Sequence, residues 1–207
     1  MCDKRLLAGY TILTLVALVL SGIHPYDRLT WFFEVLPVLL ALPVLIATYR
    51  RFPLTTLLYS LIFLHALVLI YGGAYTYSRV PLGDWIRTAL DLERNRYDLI
   101  GHFMQGFVPA LLTREVLLRC KFLNKGYMLG FLCGCVALAV SAVYELLEWW
   151  AALAMGEGAI SFLGTQGDPW DTQSDIFTAM IGAIVALVTL SGLHNRQISA
   201  VERQSRK

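Results

Sequence analysis

The sequence predicts an all-α protein, a polytopic membrane helix bundle of about six transmembrane helices with both termini in the cytoplasm. Of the 207 residues, 57% are hydrophobic and only 15% are charged, whereas a soluble domain carries about a quarter charged residues. The apolar residues also gather into six runs that approach the roughly 20 residues needed to cross a bilayer. We therefore treat residues 1–207 as a single transmembrane domain.

Short polar segments separate the six predicted spans. The first span follows Lys4 and Arg5, as in a signal peptide, but no small-residue cleavage site comes after it, so we interpret it as a retained anchor. Pro37, Pro43 and Pro109 fall inside spans, which helix bundles tolerate where neighbouring helices satisfy the freed backbone groups. The predicted spans cover residues 6–22, 31–49, 54–75, 99–118, 127–150 and 175–194.

Lysine and arginine are distributed unevenly between the two sides of the predicted membrane. With the N-terminus inside, 12 of the 17 fall in inside segments and 5 in outside loops. Positive residues favour the cytoplasmic side, so the distribution predicts a bacterial inner-membrane protein with cytoplasmic N- and C-termini. The longer loops, about 76–98 and 151–174, are then periplasmic. The first contains Asp84-Trp85-Ile86-Arg87 and is expected to hold a short interfacial helix.

Composition and motifs exclude several classes of function. A net charge of +2 is too small to indicate a nucleic-acid partner. The sequence has no G-x-S-x-G motif and no nucleotide-binding loop, which argues against serine hydrolysis and ATP-driven work. No cysteine pair falls in an exported loop, so we expect neither a disulfide nor a cysteine metal site. Membrane lipids are the expected partners, and the oligomeric state is left open.

Three pairs of ionisable side chains lie at the exported ends of the last three predicted spans. The members of each pair are three or four residues apart, so they share one helix face. Ionisable side chains are costly inside a membrane and are usually functional there. The face below the second pair is a ladder of small residues that predicts a close helix contact, formed by Ser141, Ala137, Gly134 and Gly130. The pairs are Asp98 with His102, Glu145 with Glu148, and Asp171 with Asp175.

Carboxylates gathered at one membrane face repel one another unless protons or a cation neutralise them. Arg94 and Arg96 could supply part of that charge. The sharper hypothesis is one divalent metal ion (Zn, Mn, Fe or Mg) held by an imidazole and carboxylates. In this hypothesis Glu148 or Asp98 acts as a catalytic general base. The predicted metal ligands are His102, Glu145, Asp171 and Asp175.

Each of these groups also has a structural interpretation. Asp98 and Asp171 lie near predicted helix starts, where an aspartate commonly caps the helix. Glu145 and Glu148 could be solvated carboxylates at headgroup level, although the helix dipole disfavours acids at a C-terminal end. Asp168 falls in a Gly-Asp-Pro turn, and we interpret it as structural.

Four further polar residues are weaker candidates. Glu34 is near the exported end of the second span, so it could join the site. His65 lies in the middle of the third span and fits a buried, hydrogen-bonded histidine. Thr165 and Gln166 precede the last span and could orient a ligand.

The segments YDLIGHF, SAVYELLEWW and FLGTQGDPWDTQSD resemble those of the YjdF-type family of bacterial inner-membrane proteins, and the resemblance covers nearly the whole chain. It implies a multi-pass inner-membrane protein. The last three spans are more distantly similar to the VanZ-like membrane proteins, which are linked to glycopeptide-antibiotic resistance. That likeness rests on an acid-x-x-x-His helix start, a glutamate near the end of the next span and paired aspartates before a glycine-bearing helix. The matching positions here are Asp98 and His102, Glu145 or Glu148, and Asp171, Asp175 and Gly182.

Three functions remain open. The leading hypothesis is a periplasm-facing His/carboxylate site in a metal-dependent membrane hydrolase or transferase, in which metal-activated water attacks a phosphate or acyl group of a lipid or envelope precursor. The second is a small ion or metabolite transporter that uses the carboxylates as a relay, although such carriers usually bind near the membrane midplane. The third is a non-catalytic envelope partner. Whether the chain is an enzyme is left open.

Overall fold

A computed structural model describes residues 4–155 and 168–205, and its regular secondary structure in these ranges is helical. Each of the six predicted spans corresponds to one helix. A 3-10 turn at Tyr77–Arg79 and one short helix lie in the loop between the third and fourth spans. In chain order the helices are α1 (Lys4–Ile23), α2 (Arg28–Thr48), α3 (Thr56–Tyr75), α4 (Pro81–Ala89), α5 (Asp98–Arg119), α6 (Tyr127–Met155) and α7 (Asp171–Ser205).

Five helices, α1, α2, α3, α6 and α7, are long and apolar enough to cross a membrane. The prediction of a polytopic helical membrane bundle is therefore confirmed. Helix α5 has 22 residues but carries polar side chains along its length, among them Gln105 and Glu115. It packs against α3, α6 and α7, and these neighbours shield its polar groups from lipid. Its crossing of the membrane, and with it the count of six spans, stays a prediction.

The last helix is longer than its predicted span of 175–194. At its start the helix already includes Asp171, so Asp171 and Asp175 do share one face. At its end the side chains of Ile198 and Val201 are buried. The backbone N–H of Leu57 also donates to the side chain of Gln197, at 2.8 Å. Hydropathy alone ends the span at residue 194. The contacts with the bundle keep the polar segment after it helical.

Helices α5 and α7 approach each other closely through a reciprocal pair of glycines. A Cβ atom on Gly106 of α5 would overlap the backbone carbonyl of Ala179 on α7. A Cβ atom on Gly182 of α7 would likewise overlap the carbonyl of Phe103 on α5. Glycine removes this steric barrier, as at other close helix crossings in membranes. The crossing lies one helical turn from His102 on α5 and so sets the separation of the two helices near that residue.

The ladder of small residues on α6 makes its predicted close contact only in part. Ala137 and Ser141 are buried as predicted, with 0% exposure. The contact expected at Gly130 and Gly134 is wrong, because nothing lies within 4 Å of a Cβ atom built on either glycine. The predicted face therefore points into the bundle at the half of the ladder nearer Glu145.

The short helix α4 is held against the start of α5 by Asn95. The Asn95 side-chain amide donates to the carbonyl of Val80 at 3.0 Å, and its oxygen accepts from the backbone N–H of Tyr97 at 3.1 Å. The expected short helix in this loop is therefore present. Trp85 on its outer side is 69% exposed. The anchoring by Asn95 fixes the segment that carries Arg94.

Candidate functional site

Three helix ends bring an imidazole and two carboxylates together. His102 is in the first turns of α5, Glu145 is in the second half of α6, and Asp175 is in the first turns of α7. All three are buried, with exposures of 7%, 9% and 2%. The Nε2 atom of His102 lies 3.7 Å from Oε1 of Glu145 and 3.5 Å from Oδ2 of Asp175. We call these three residues the His102 cluster.

The other ring nitrogen of His102 sets how the imidazole presents itself to the carboxylates. Its Nδ1 atom lies 2.9 Å from the side-chain oxygen of Gln105. An amide oxygen only accepts hydrogen bonds, so Nδ1 carries the proton and, in the neutral ring, Nε2 keeps its lone pair. A histidine that ligates a metal typically has such an outer partner on its second nitrogen. The tautomer of His102 is therefore the one that a metal ligand requires.

Two carboxylate oxygens in the His102 cluster lack a partner. Among the residues that the structure describes, Oε1 of Glu145 and Oδ1 of Asp175 are buried and accept no hydrogen bond. Buried polar atoms are nearly always satisfied, so such exceptions call for an explanation. The distances from His102 Nε2 to Oε1 of Glu145 and to the other oxygen of Asp175, Oδ2, exceed a normal hydrogen bond. They are close to the separation of about 3.4 Å between ligands of a tetrahedral zinc ion with bonds near 2.1 Å.

A second group of acids surrounds Arg94, which is 7% exposed. Its guanidinium donates to Asp98 at 3.0 Å, to Asp171 at 2.5 Å and to Asp168 at 3.3 Å. Burial alone would lower the pKa of Arg94, but the carboxylates of Asp98 and Asp171 raise it, and the pKa lies above its usual value. Arg94 is thus a permanent cation that neutralises part of the acidic charge.

Asp175 connects the two groups. Ligand atoms of Asp98, Asp171 and Asp175 all lie within 4.8 Å of one another, as do those of the His102 cluster. In the first set, however, Arg94 already occupies a place between Asp98 and Asp171. The His102 cluster has no comparable cation among the described residues. Of the two sets, it has the more room for a metal ion.

A cavity of about 200 Å³ adjoins the His102 cluster. Glu34, Glu148 and Tyr144 line it together with His102 and Asp175, and the Tyr144 hydroxyl donates to Glu34 at 3.2 Å. Glu34 therefore joins the site, as the sequence suggested. Glu148 is half-buried and faces the cavity rather than the His102 cluster. The cavity offers an acidic space beside the imidazole.

The structure brings all six predicted site residues into this one region. The interpretation of Glu145 as a solvated carboxylate is wrong, because its side chain is 8% exposed. Asp168 accepts from the backbone N–H of Trp170 at 2.9 Å, and its structural role stays a prediction. Thr165 and Gln166 lie outside the described residues. The roles assigned to the six as metal ligands or general bases stay predictions. The six are Asp98, His102, Glu145, Glu148, Asp171 and Asp175.

The role of Arg94 is larger than the sequence predicts. The pattern indicates a partial counter-charge, whereas the structure places Arg94 at the centre of the Asp98 and Asp171 group. The available signal was its position four residues before Asp98, the spacing of an ion pair on one helix face. Arg94 itself lies before the first residue of α5, however, so the helical spacing rule does not strictly apply to this ion pair.

A second buried polar cluster, at the opposite end of α5, was missed entirely. Glu115 and His194 are both 0% exposed, and His194 Nε2 lies 2.9 Å from a Glu115 carboxylate oxygen. The carboxylate also accepts from Arg119 at 2.7 Å and from the Thr55 hydroxyl at 2.7 Å. We call these four residues the Glu115 cluster. The sequence signal is the adjacent pair Arg114 and Glu115 within a predicted span, of which the orientation count uses only Arg114.

Comparison with known proteins places the chain in a family. It is similar to the inner membrane protein YjdF of Escherichia coli (strain K12), with 54% identity over 196 residues that cover 94% of each chain. No solved structure matches. Residues 6–196 match the family model described as predicted membrane protein (DUF2238). The resemblance to the YjdF-type family is thereby confirmed, and the chain belongs to the DUF2238 family of predicted membrane proteins.

Proposed function

We propose that this chain is a multi-pass protein of the bacterial inner membrane with both termini in the cytoplasm. Its similarity to an inner membrane protein of Escherichia coli supports the location. The excess of lysine and arginine at one end of the bundle supports the orientation. The His102 cluster lies at the other end and faces the periplasm in this arrangement.

The orientation is tested with two reporters fused after Lys207. Green fluorescent protein folds in the cytoplasm, and alkaline phosphatase is active only in the periplasm. We expect a fluorescent green fluorescent protein fusion and an inactive phosphatase fusion. An active phosphatase fusion would place the C-terminus outside and turn the site towards the cytoplasm.

The His102 cluster, in this proposal, binds one divalent metal ion through His102, Glu145 and Asp175. The carrying observation is the pair of buried carboxylate oxygens that have no hydrogen-bond partner among the described residues. One imidazole and two carboxylates suit zinc, manganese or iron better than magnesium, which prefers an all-oxygen shell. Asp171, the fourth predicted ligand, is held by Arg94 and would join only after leaving it.

The bound metal would activate water for attack on a phosphate or acyl group of a lipid or envelope precursor. Glu148 is the stronger candidate for general base, because it lines the cavity and is not paired with Arg94. Asp98 also lines the cavity but accepts from Arg94 at 3.0 Å. A cavity of about 200 Å³ is smaller than the pockets that enclose a whole drug-sized ligand. It fits a headgroup rather than a complete lipid.

Metal content tests the proposal directly. Purified protein should retain about one divalent ion per chain, measured by mass spectrometry of the elements. His102→Ala and Glu145→Gln should lower that content at least tenfold. His24→Ala is the matched control, because His24 is an exposed histidine outside the cluster, and it should keep the ion. Metal-free protein, or variants with unchanged content, would contradict the proposal.

A carrier function is the second candidate, and one observation favours it. The cavity wall continues past His102 to Gln105, Pro109 and His65, which lie towards the middle of their helices. Further along α5, however, Val108 and Leu111 are buried in an apolar core. Vesicles that contain the protein and a pH-sensitive dye would show cation-coupled proton movement if the relay is real. We expect none.

A further inference from the structure

A large apolar groove lies between α1, α2 and α3 and has a volume of about 750 Å³. It follows α2 from Pro37 to Tyr49, which at 1.5 Å per residue is roughly 18 Å. This length exceeds half of the roughly 30 Å hydrocarbon core of a bilayer. The lining side chains are mainly aliphatic and aromatic, among them Leu7, Leu45 and Phe63. The groove has the length and the surface to hold a hydrocarbon chain.

The groove adjoins the acidic cavity, and the two share a wall. Pro37, His65 and Leu69 contribute to the walls of both. His65 lies in the middle of α3, which runs from Thr56 to Tyr75. The junction of the groove and the cavity therefore lies near the middle of the bundle. The acidic cavity extends from the junction towards the His102 cluster, and the groove extends towards the other end.

A polar atom at the junction lacks a partner. Within the described ranges, Nε2 of His65 is buried and makes no hydrogen bond. An unsatisfied buried nitrogen in an apolar wall is costly. A bound molecule with a polar atom between its head and its chain would satisfy it. This is a second observation, independent of the shape of the groove, that indicates an occupant.

The floor of the groove is recessed from the lipid-facing surface. Thr14 and Ala66, which line it, are 5% and 8% exposed. Leu13 and Val16 on the outer face of α1 are 54% and 48% exposed. The floor therefore lies deeper than the outer face of α1, and a chain on it contacts three helices rather than one.

We propose that the groove and the cavity together bind one long-chain phosphate amphiphile, with its hydrocarbon chain between α1, α2 and α3 and its phosphate beside His102. The inference rests on the proposed function and names its substrate class. The acidic cavity repels a phosphate on its own, so the head binds through the divalent metal. The chain binds through apolar contact and needs no metal. The two halves of the ligand therefore respond to different substitutions.

Photolabelling tests the groove. The first probe is hexadecyl phosphate with a diazirine at the end of its chain, and the second is the matching hexadecanol without phosphate. Labelled peptides of the purified protein are mapped by mass spectrometry. We expect both probes to label α1, α2 and α3 at the groove. Ala41→Phe fills the groove and should lower labelling at least tenfold. Ala47→Phe, the control on the exposed side of α2, should leave it unchanged.

The outcomes separate this inference from the metal proposal. Equal labelling in Ala41→Phe and Ala47→Phe, or cross-links to a second copy of the chain, would overturn the groove even if the protein retains its metal. In His102→Ala we expect hexadecanol labelling to persist and hexadecyl phosphate labelling to fall at least tenfold. If phosphate labelling persists there, the head does not bind at the metal and the inference fails, whatever the metal content.

Discussion

The two buried polar clusters at opposite ends of α5 contain similar residues but differ in how fully their carboxylate oxygens are hydrogen-bonded. In the Glu115 cluster one carboxylate accepts from Thr55, Arg119 and His194, so both of its oxygens are satisfied. The His102 cluster has two carboxylates around one imidazole, and an oxygen of each has no partner among the described residues. Both clusters join α5 to α7, and only the first is complete.

This difference indicates distinct roles. A buried charge is tolerated when hydrogen bonds and counter-charges compensate for its lost hydration. The Glu115 cluster meets that condition within the chain, so it needs nothing further and serves to join α3, α5 and α7. The His102 cluster meets it only when protons or an added cation neutralise its carboxylates. A balanced cluster is thus structural, whereas an unbalanced one is a candidate for binding.

Removing Glu115 should have the largest effect on stability. Glu115→Ala leaves the backbone N–H of Thr55, Arg119 and His194 without their shared acceptor. Breaking a buried pair in this way costs about 3–5 kcal/mol. The measurement is unfolding of the detergent-solubilised protein by SDS. Asp84→Ala is the control, because Asp84 forms a half-exposed pair with Arg87, and such pairs contribute about 0–1 kcal/mol.

Gly106→Ala should separate the helices that both clusters join. The added methyl group would overlap the carbonyl of Ala179, so α5 and α7 must move apart. Overpacking of this kind costs about 1–3 kcal/mol, and we expect the metal content to fall as well. Gly134→Ala is the control, with nothing within 4 Å of its Cβ atom. It should be neutral or stabilising, and equal losses in both variants would refute the close crossing.

Asp175→Asn should raise the stability of the metal-free protein, whereas Glu115→Ala should lower it. Asp175→Asn removes an acid that lies among other acids, so like-charge repulsion falls and metal-free protein should become more stable by about 1 kcal/mol, the equivalent of roughly one pKa unit of repulsion. Metal binding should be lost at the same time. Unfolding with and without a chelator measures both effects. Destabilisation of the metal-free variant would show that Asp175 is already balanced.

The smallest effect on stability is expected at Asp27, an exposed acid that caps a helix through a backbone N–H. Its carboxylate accepts from the N–H of Thr30 at 2.7 Å and caps α2. That hydrogen bond lowers the pKa of Asp27, so the stabilisation is present above its unfolded pKa and is lost as pH falls through the lower folded value. Asp27→Ala should cost about 1 kcal/mol at neutral pH, and the difference from wild type should vanish in acid. A difference that persists in acid would assign the loss to something other than the charged cap.

Much of the architecture was predictable because it depends on local properties of the chain. Hydropathy gave the approximate positions of all six long helices, and the 3.6-residue period placed Asp171 and Asp175 on one face. The convergence of His102, Glu145 and Asp175 was also expected, since the predicted topology places all three towards the same side of the membrane. The extension of α7 beyond residue 194 was not, because contacts at Gln197 and Ile198 hold it.

The sequence by itself determined that lipid is the solvent of this protein and that acids concentrate at one end, because transfer energies and charges belong to individual residues. Only the tertiary structure decided how those charges are shared. Helix rotation and interhelical distance assign Arg94 to Asp98 and Asp171, leave Glu145 and Asp175 incomplete, and satisfy Glu115 with a histidine 79 residues away. They also place the apolar groove beside the acidic cavity, because the walls of both come from helices distant in sequence.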